Sequence, residues 1–173
     1  MIKKSLLRPG DLLLYRMTIK SGISSWFIGW GQNVIGKSPV HGKSYVHVAI
    51  VDKDTDYMLE SRWPRSKRCK IKWKKLDKKY KIELWRVRAT SLEKIDKVME
   101  WAYANLGLWY DLGLFIWGWL DFKHAEVCST FVKKAWGNAD VVFKLHKKLT
   151  EKGALITPDE IVGSNLDILK RIA

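Results

Sequence analysis

A cysteine, a histidine and a carboxylate can together break an acyl bond without a metal, and three apolar stretches supply them. Cys128 lies in "HAEVCSTFVKKAW", His47 in "SYVHVAIV" and Glu60 in "DYMLESRW". The working form of a catalytic cysteine is the thiolate, yet an unperturbed thiol with a pKa of about 8.5 is only about 3% ionised at pH 7. Two surroundings raise that fraction: the free N–H groups and dipole at a helix start, and an imidazolium neighbour. Cys128 opens an amphipathic pattern in which Val127, Phe131, Val132 and Ala135 share one helical face, so the first surrounding is expected here. A buried structural cysteine is the competing reading.

Among the four histidines, His47 alternates with Val46, Val48 and Ile50 and is expected on the opposite face of its strand from them. A structural histidine is again the alternative. His41 and His124 fall in or beside loops and His146 in the basic helical stretch "FKLHKKL", where solvation accounts for each. If "DKDT" is a four-residue hairpin loop, Val51 pairs with Asp56 and His47 stands directly opposite Glu60. The carboxylate would then orient the ring and stabilise its charged form. A slip of one residue would oppose Ser61 instead and turn Glu60 away, leaving it to pair with Arg62 or a lysine at the surface.

The elements that must position these groups are signalled locally. After the turn Pro9-Gly10, "DLLLYRM" reads as a strand, followed by a long Gly- and Trp-containing loop from Ser21 to Lys43. "SYVHVAIV", "DYMLESRW" and "KIELWRVR" read as further strands, the first two as an antiparallel hairpin. Thr90 with Glu93 has the spacing of a capping box ahead of "LEKIDKVMEWAYANLG", with Gly107 as a stop. Thr157, Pro158 and Glu160 form a second box opening a short helix near Ile161. No linker divides the 173 residues, which read as one domain over 1–173.

Charge narrows the partners only to a sign. With 32 Lys and Arg against 18 Asp and Glu the chain carries +14, concentrated in "SRWPRSKRCKIKWKKLDKKYK". Such a surface attracts nucleic acid, acidic lipid or an anionic cell wall alike. In that segment Trp63, Ile71, Trp73 and Leu76 alternate with basic residues, as base-stacking side chains or as the buried side of a strand pair whose outer face lysine solvates. The two cysteines, Cys69 and Cys128, read as reduced thiols; the Cys and His spacing suits no metal site, and no cofactor is expected. No signal peptide is apparent, so a cytoplasmic protein is expected, reaching a cell wall only by lysis or a carrier, as a phage-encoded protein does. Leu106 to Leu120 is too short to span a bilayer and contains Asp111, although Trp109, Trp117 and Trp119 suit a membrane interface.

The order "RPGDLLLYR", "YVHVAIV", "YMLESRW", "GLWYDLG", "EVCSTFV", "ITPDEIV" resembles the circularly permuted papain-like branch of the NlpC cysteine-peptidase superfamily, the YiiX/YaeF-like proteins. His47 preceding Cys128 is the permuted order. The resemblance implies an α+β fold, a papain-like antiparallel sheet or small barrel packed against helices, with the cysteine at a helix N-terminus. It implies Cys128 as nucleophile, His47 as general base and acid, and Glu60 as the orienting residue. The backbone N–H of Cys128 would serve the oxyanion. Tyr110 and Asp111 would shape the cleft, and Tyr45 is a further substrate-binding candidate. The expected function is a cysteine amidase or endopeptidase acting on peptidoglycan-type peptides. The alternatives are a lipid-directed thiol acyltransferase or thioesterase, and a non-catalytic basic module that binds nucleic acid. Weak, non-specific nucleic-acid binding is expected from the charge in every case.

Overall fold

The computed structural model describes residues 2–18, 45–88, 90–110, 127–144 and 157–173. Among the described residues six strands form one antiparallel sheet: β1 (Leu12–Met17), β2 (Tyr45–Val51), β3 (Tyr57–Arg62), β4 (Arg65–Lys70), β5 (Tyr80–Val87) and β6 (Leu169–Arg171). They run in the spatial order β4-β3-β2-β1-β5-β6. Among the described residues four α-helices accompany them: α1 (Trp73–Lys79), α2 (Leu92–Ala104), α3 (Cys128–Gly137) and α4 (Pro158–Gly163). The architecture is α+β.

Each face of the sheet buries its own apolar cluster. Leu12 and Leu14 of β1, Val48 and Ile50 of β2 and Leu59 of β3 meet Phe131, Val132 and Ala135 of α3 and Val98, Met99 and Ala102 of α2. On the second face Leu13, Tyr15, Ala49, Val51, Met58 and Leu84 pack with Ile71, with Leu76 of α1 and with Ile2 and Leu7 near the N-terminus. A strand covered on both sides reads as a continuous apolar run, which is the reason for "LLLY" in β1. Helix α3 buries Cys128, Phe131, Val132, Ala135 and Trp136, the spacing of a single helical stripe. Its core face was expected from the sequence.

Three local expectations change. The N-cap of α2 is Ser91, whose Oγ accepts the Lys94 N–H at 3.3 Å, so the helix opens one residue later than a Thr90 box implies. Thr90 Oγ1 instead donates to the Val87 carbonyl at 3.0 Å, and Glu93 pairs with Lys97 at 3.1 Å. The basic segment is strand only as far as Lys70; beyond it α1 turns Leu76 inward and leaves its lysines in water. Ile71 and Leu76 are core residues, Trp73 packs on the same cluster, and Trp63 alone of the four alternating residues is exposed, at 64%. Of these four side chains Trp63 alone is open to stack on a base. The box at α4 forms as expected: Thr157 Oγ1 accepts the Glu160 N–H at 3.3 Å, and Glu160 Oε2 accepts the Thr157 N–H at 2.8 Å. Among the described residues no helix is long and apolar enough to cross a membrane.

Candidate functional site

Cys128 is the first residue of α3 and is 4% exposed. Valine, at the N-cap as Val127, has no side-chain acceptor and so supplies no cap to the first turn of α3. Thr130 closes the turn from within: its Oγ1 accepts the Val127 N–H and donates to the Val127 carbonyl, both at 3.0 Å. A helix N-terminus presents a positive field to whatever lies in front of it. Helix α3 packs on β2, β3 and α4, and α4 fixes the start of β2 through the Tyr45 N–H, which donates to Asp159 Oδ1 at 2.7 Å.

His47 meets Glu60, but not through the expected register. The hairpin loop is Lys53 to Asp56, with the Asp52 N–H donating to the Tyr57 carbonyl at 3.1 Å. Val51 therefore pairs with Met58 and Ile50 with Leu59, where a "DKDT" loop would have paired Val51 with Asp56. The pairing has slipped by two residues. Because side chains alternate with period two, that slip leaves Glu60 on the same face as His47 and makes the pair diagonal neighbours. The ring Nε2 and Glu60 Oε2 lie 2.6 Å apart. The ladder between β2 and β3 contains only those two residue pairs, so it stops before it reaches His47.

His47 keeps the face opposite Val48 and Ile50, as expected, and only Val46 departs from the expected alternation. A register shift between Tyr15 and Arg16 puts Tyr15 opposite His47 and Arg16 opposite Tyr45, one extra residue on β2. Val46 consequently joins Ala49 and Val51 in the second cluster, while Val48 and Ile50 face the helices. His47 is 14% exposed, and the Tyr15 ring stands edge-on to it with centroids 5.1 Å apart. Tyr15 in turn donates its hydroxyl to Met58 Sδ at 3.0 Å. The imidazole is thus held between an aromatic edge and a carboxylate.

Electrostatics favour the charged ring. Burial alone depresses the His47 pKa, but the charge and hydrogen bond of Cys128, followed by the bond and charge of Glu60, outweigh it and raise it well above the usual imidazole range. Burial alone would raise Glu60, yet its bond to His47, the charges of His47 and Arg62 and the contact with Cys69 pull it well below the usual carboxylate range. With Nε2 engaged by Glu60, Nδ1 is the nitrogen left for the thiol. Cys128, His47 and Glu60 therefore form one connected set contributed by α3, β2 and β3.

Cys69 belongs to the same neighbourhood, which the sequence reading missed. Its Sγ donates to Glu60 Oε1 at 3.4 Å. Burial, then the charge and bond of Glu60, push this thiol up to about 12. The available signal was the alternation of β4: Glu60 pairs with Lys67 and Met58 with Cys69, so the strand parity that places His47 beside Glu60 also places Cys69 there. Both cysteines are free.

The other candidates have different surroundings. Tyr45 is 3% exposed and donates its hydroxyl to Glu83 Oε2 at 2.5 Å; burial and that bond push the phenol well above its usual range. Its side chain is committed to anchoring the start of β2. Tyr110 is half-buried and its N–H donates to the Pro64 carbonyl at 2.9 Å, which ties it to the β3–β4 turn. Asp111, His41, His124, His146, Trp117 and Trp119, with the Ser21 to Lys43 loop, lie outside the described residues. Among the described residues no three metal-ligating side chains converge. A separate cleft of about 280 Å³, lined by Arg8 to Asp11, Arg86 to Arg88, Thr90, Ile95, Trp136 and Lys170, includes none of the three connected residues. Trp136 lies about 12 Å along α3 from Cys128 at 1.5 Å rise per residue. No family model and no curated protein matches the chain.

Proposed function

We propose that the chain is a cysteine hydrolase of permuted papain-like fold that cleaves an amide bond, most simply in a peptidoglycan-type peptide. The observation that carries this reading is the His47–Glu60 pair at 2.6 Å sharing its ring with a cysteine at a helix N-terminus. The chain order of histidine on β2, carboxylate on β3 and cysteine on the helix agrees with the permuted arrangement.

In the first half-reaction the Cys128 thiolate adds to the carbonyl carbon, and the carbonyl electron pair moves to oxygen. That oxyanion is stabilised by first-turn N–H groups of α3, the Cys128 N–H among them. The intermediate collapses by breaking the C–N bond, with the His47 imidazolium giving its Nδ1 proton to the departing amine. In the second half, neutral His47 takes a proton from water, which adds to the thioester; the acid product leaves and the thiolate–imidazolium pair returns. Glu60 remains ionised, holds the ring by Nε2 and favours its charged form.

The direct test offers a panel of muropeptides and acyl lipids to the intact protein and to Cys128→Ala. Release of amine from a muropeptide that disappears in Cys128→Ala supports the reading. Turnover surviving in the variant would refute it.

A lipid-directed acyl transfer is the second reading, favoured by one feature of the surface. Trp63 and Trp109 are 64% and 56% exposed beside the β3–β4 turn. Arg65 lies over the Trp109 ring at 4.1 Å. Exposed indoles with flanking cations suit a headgroup layer. Acyl transfer from a lipid, with no muropeptide cleavage, would select this reading.

A further inference from the structure

We infer that Cys69 is a positioning residue for the site: its thiol holds one oxygen of Glu60 so that the other is presented to His47. This deepens the proposed function and rests on it.

Glu60 is 2% exposed, so each carboxylate oxygen must find its donor inside the protein. Oε2 is taken by His47 Nε2 at 2.6 Å, and Oε1 by Cys69 Sγ at 3.4 Å. Backbone pairing sets the contact: Glu60 stands opposite Lys67 on β4, and Cys69, two residues on, shares its face as a diagonal neighbour. With both oxygens engaged the carboxylate plane is fixed between β4 and β2. Without the thiol, Oε1 is a buried acceptor with one donor fewer, and the carboxylate binds a proton more readily.

The chemistry of the donor matters as much as its place. An S–H group is a weak donor, so it orients the carboxylate while drawing little charge from the bond to the imidazolium. Cys69 is also held as the neutral thiol, with its pKa near 12, so it keeps the proton it must donate throughout the neutral range and does not compete as a nucleophile. Two cysteines on the same hydrogen-bonded chain thus have opposite tasks: Cys128 acts in its ionised form, Cys69 in its protonated form.

The test follows the rate of Cys128 alkylation by iodoacetamide against pH, by peptide mapping, in the intact protein and in Cys69→Ala and Cys69→Ser. No substrate need be known. In the wild type, alkylation faster than that of an ordinary thiol is expected to persist to acid pH and then fall along an acid limb. In Cys69→Ala that limb should move up by roughly half a pH unit, the scale of one lost neutral hydrogen bond. Cys69→Ser, which keeps a donor, should restore it. An Ala profile that superimposes on the wild type would overturn the inference, as would an equal displacement in Ala and Ser, which would mark a packing effect. If wild-type Cys128 follows an ordinary thiol titration with no accelerated phase, the proposed function itself falls, and the role of Cys69 with it. That outcome is distinct from the other failures because it appears without any substitution at Cys69.

Discussion

Glu60 and Glu83 are both 2% exposed, both on the same sheet and both pulled below the usual carboxylate range, yet they have unlike partners. Glu83 accepts the Tyr45 hydroxyl at 2.5 Å and Trp85 Nε1 at 3.3 Å on one oxygen, and Arg16 at 3.0 Å and Arg171 at 3.5 Å on the other. None of those donors exchanges a proton near neutral pH: guanidinium and indole groups do not titrate there, and the phenol is pushed further away. Glu60 has a thiol that keeps its proton and an imidazole, the one partner of the two carboxylates able both to give and to take a proton. Burial and a lowered pKa therefore do not mark a functional carboxylate; a partner able to change its protonation state does.

That contrast can be broken most decisively at His47. His47→Ala should reduce turnover by about 10²- to 10⁴-fold, the usual contribution of a general acid–base. Adding it to Cys128→Ala should cost little more, since members of one catalytic unit are non-additive. Steady-state kinetics on folded protein check both, and a variant retaining most activity would make the two carboxylates equivalent after all.

The carboxylates themselves come next. Glu60→Gln is expected to lower turnover at least about tenfold through loss of ring orientation, with KM little changed. Glu83→Gln should leave turnover per folded molecule intact and instead lower stability by about 2 kcal/mol, because Arg16, 18% exposed, keeps its charge without its counter-ion. Urea denaturation beside kinetics separates the two effects. Exchanged outcomes would invert the assignment.

The pH dependence of stability distinguishes the regions more gently. His47, raised in the folded state, contributes stability that is complete below its unfolded pKa of about 6.5 and lost as pH rises through the folded value. Glu60 and Glu83, both depressed, contribute stability that is complete above about 4.5 and lost as pH falls through their folded values. Urea midpoints should therefore be highest between about pH 4.5 and 6.5. The alkaline decline should be smaller in His47→Gln and unchanged in Glu83→Gln.

Tyr45→Phe should have the smallest effect. It removes one bond to Glu83 and should lower stability by about 1 kcal/mol. A raised KM would instead make Tyr45 a substrate contact.

How far the sequence reached depends on which physical rule each inference used. Parity rules survived: the face of Glu60 follows from the period of two, so a hairpin register wrong by two residues still joined it to His47. The stripe Phe131, Val132, Ala135 and the Thr157 box rest on helical spacing and appear as expected. Rules that depend on counting a loop did not survive, because the turn at Lys53 to Asp56 includes local bonds such as the Asp56 N–H to Asp54 Oδ1 at 3.0 Å, which no residue count reveals. The cap of α2 moved from Thr90 to Ser91 because adjacent hydroxyl residues offer equal chemistry. Cys69 was missed for another reason: its role depends on β4 pairing with β3, and in a segment dense in lysine the alternation that signals this pairing is carried by few apolar residues.

The most direct measurement is competitive labelling of the two thiols: the folded protein at pH 6, a limiting amount of iodoacetamide, and peptide mapping of Cys69 and Cys128. The expected result is alkylation of Cys128 with Cys69 untouched, and loss of that selectivity in His47→Ala. Labelling of Cys69 first, or equal slow labelling of both in the wild type, would contradict a reactive Cys128–His47–Glu60 site.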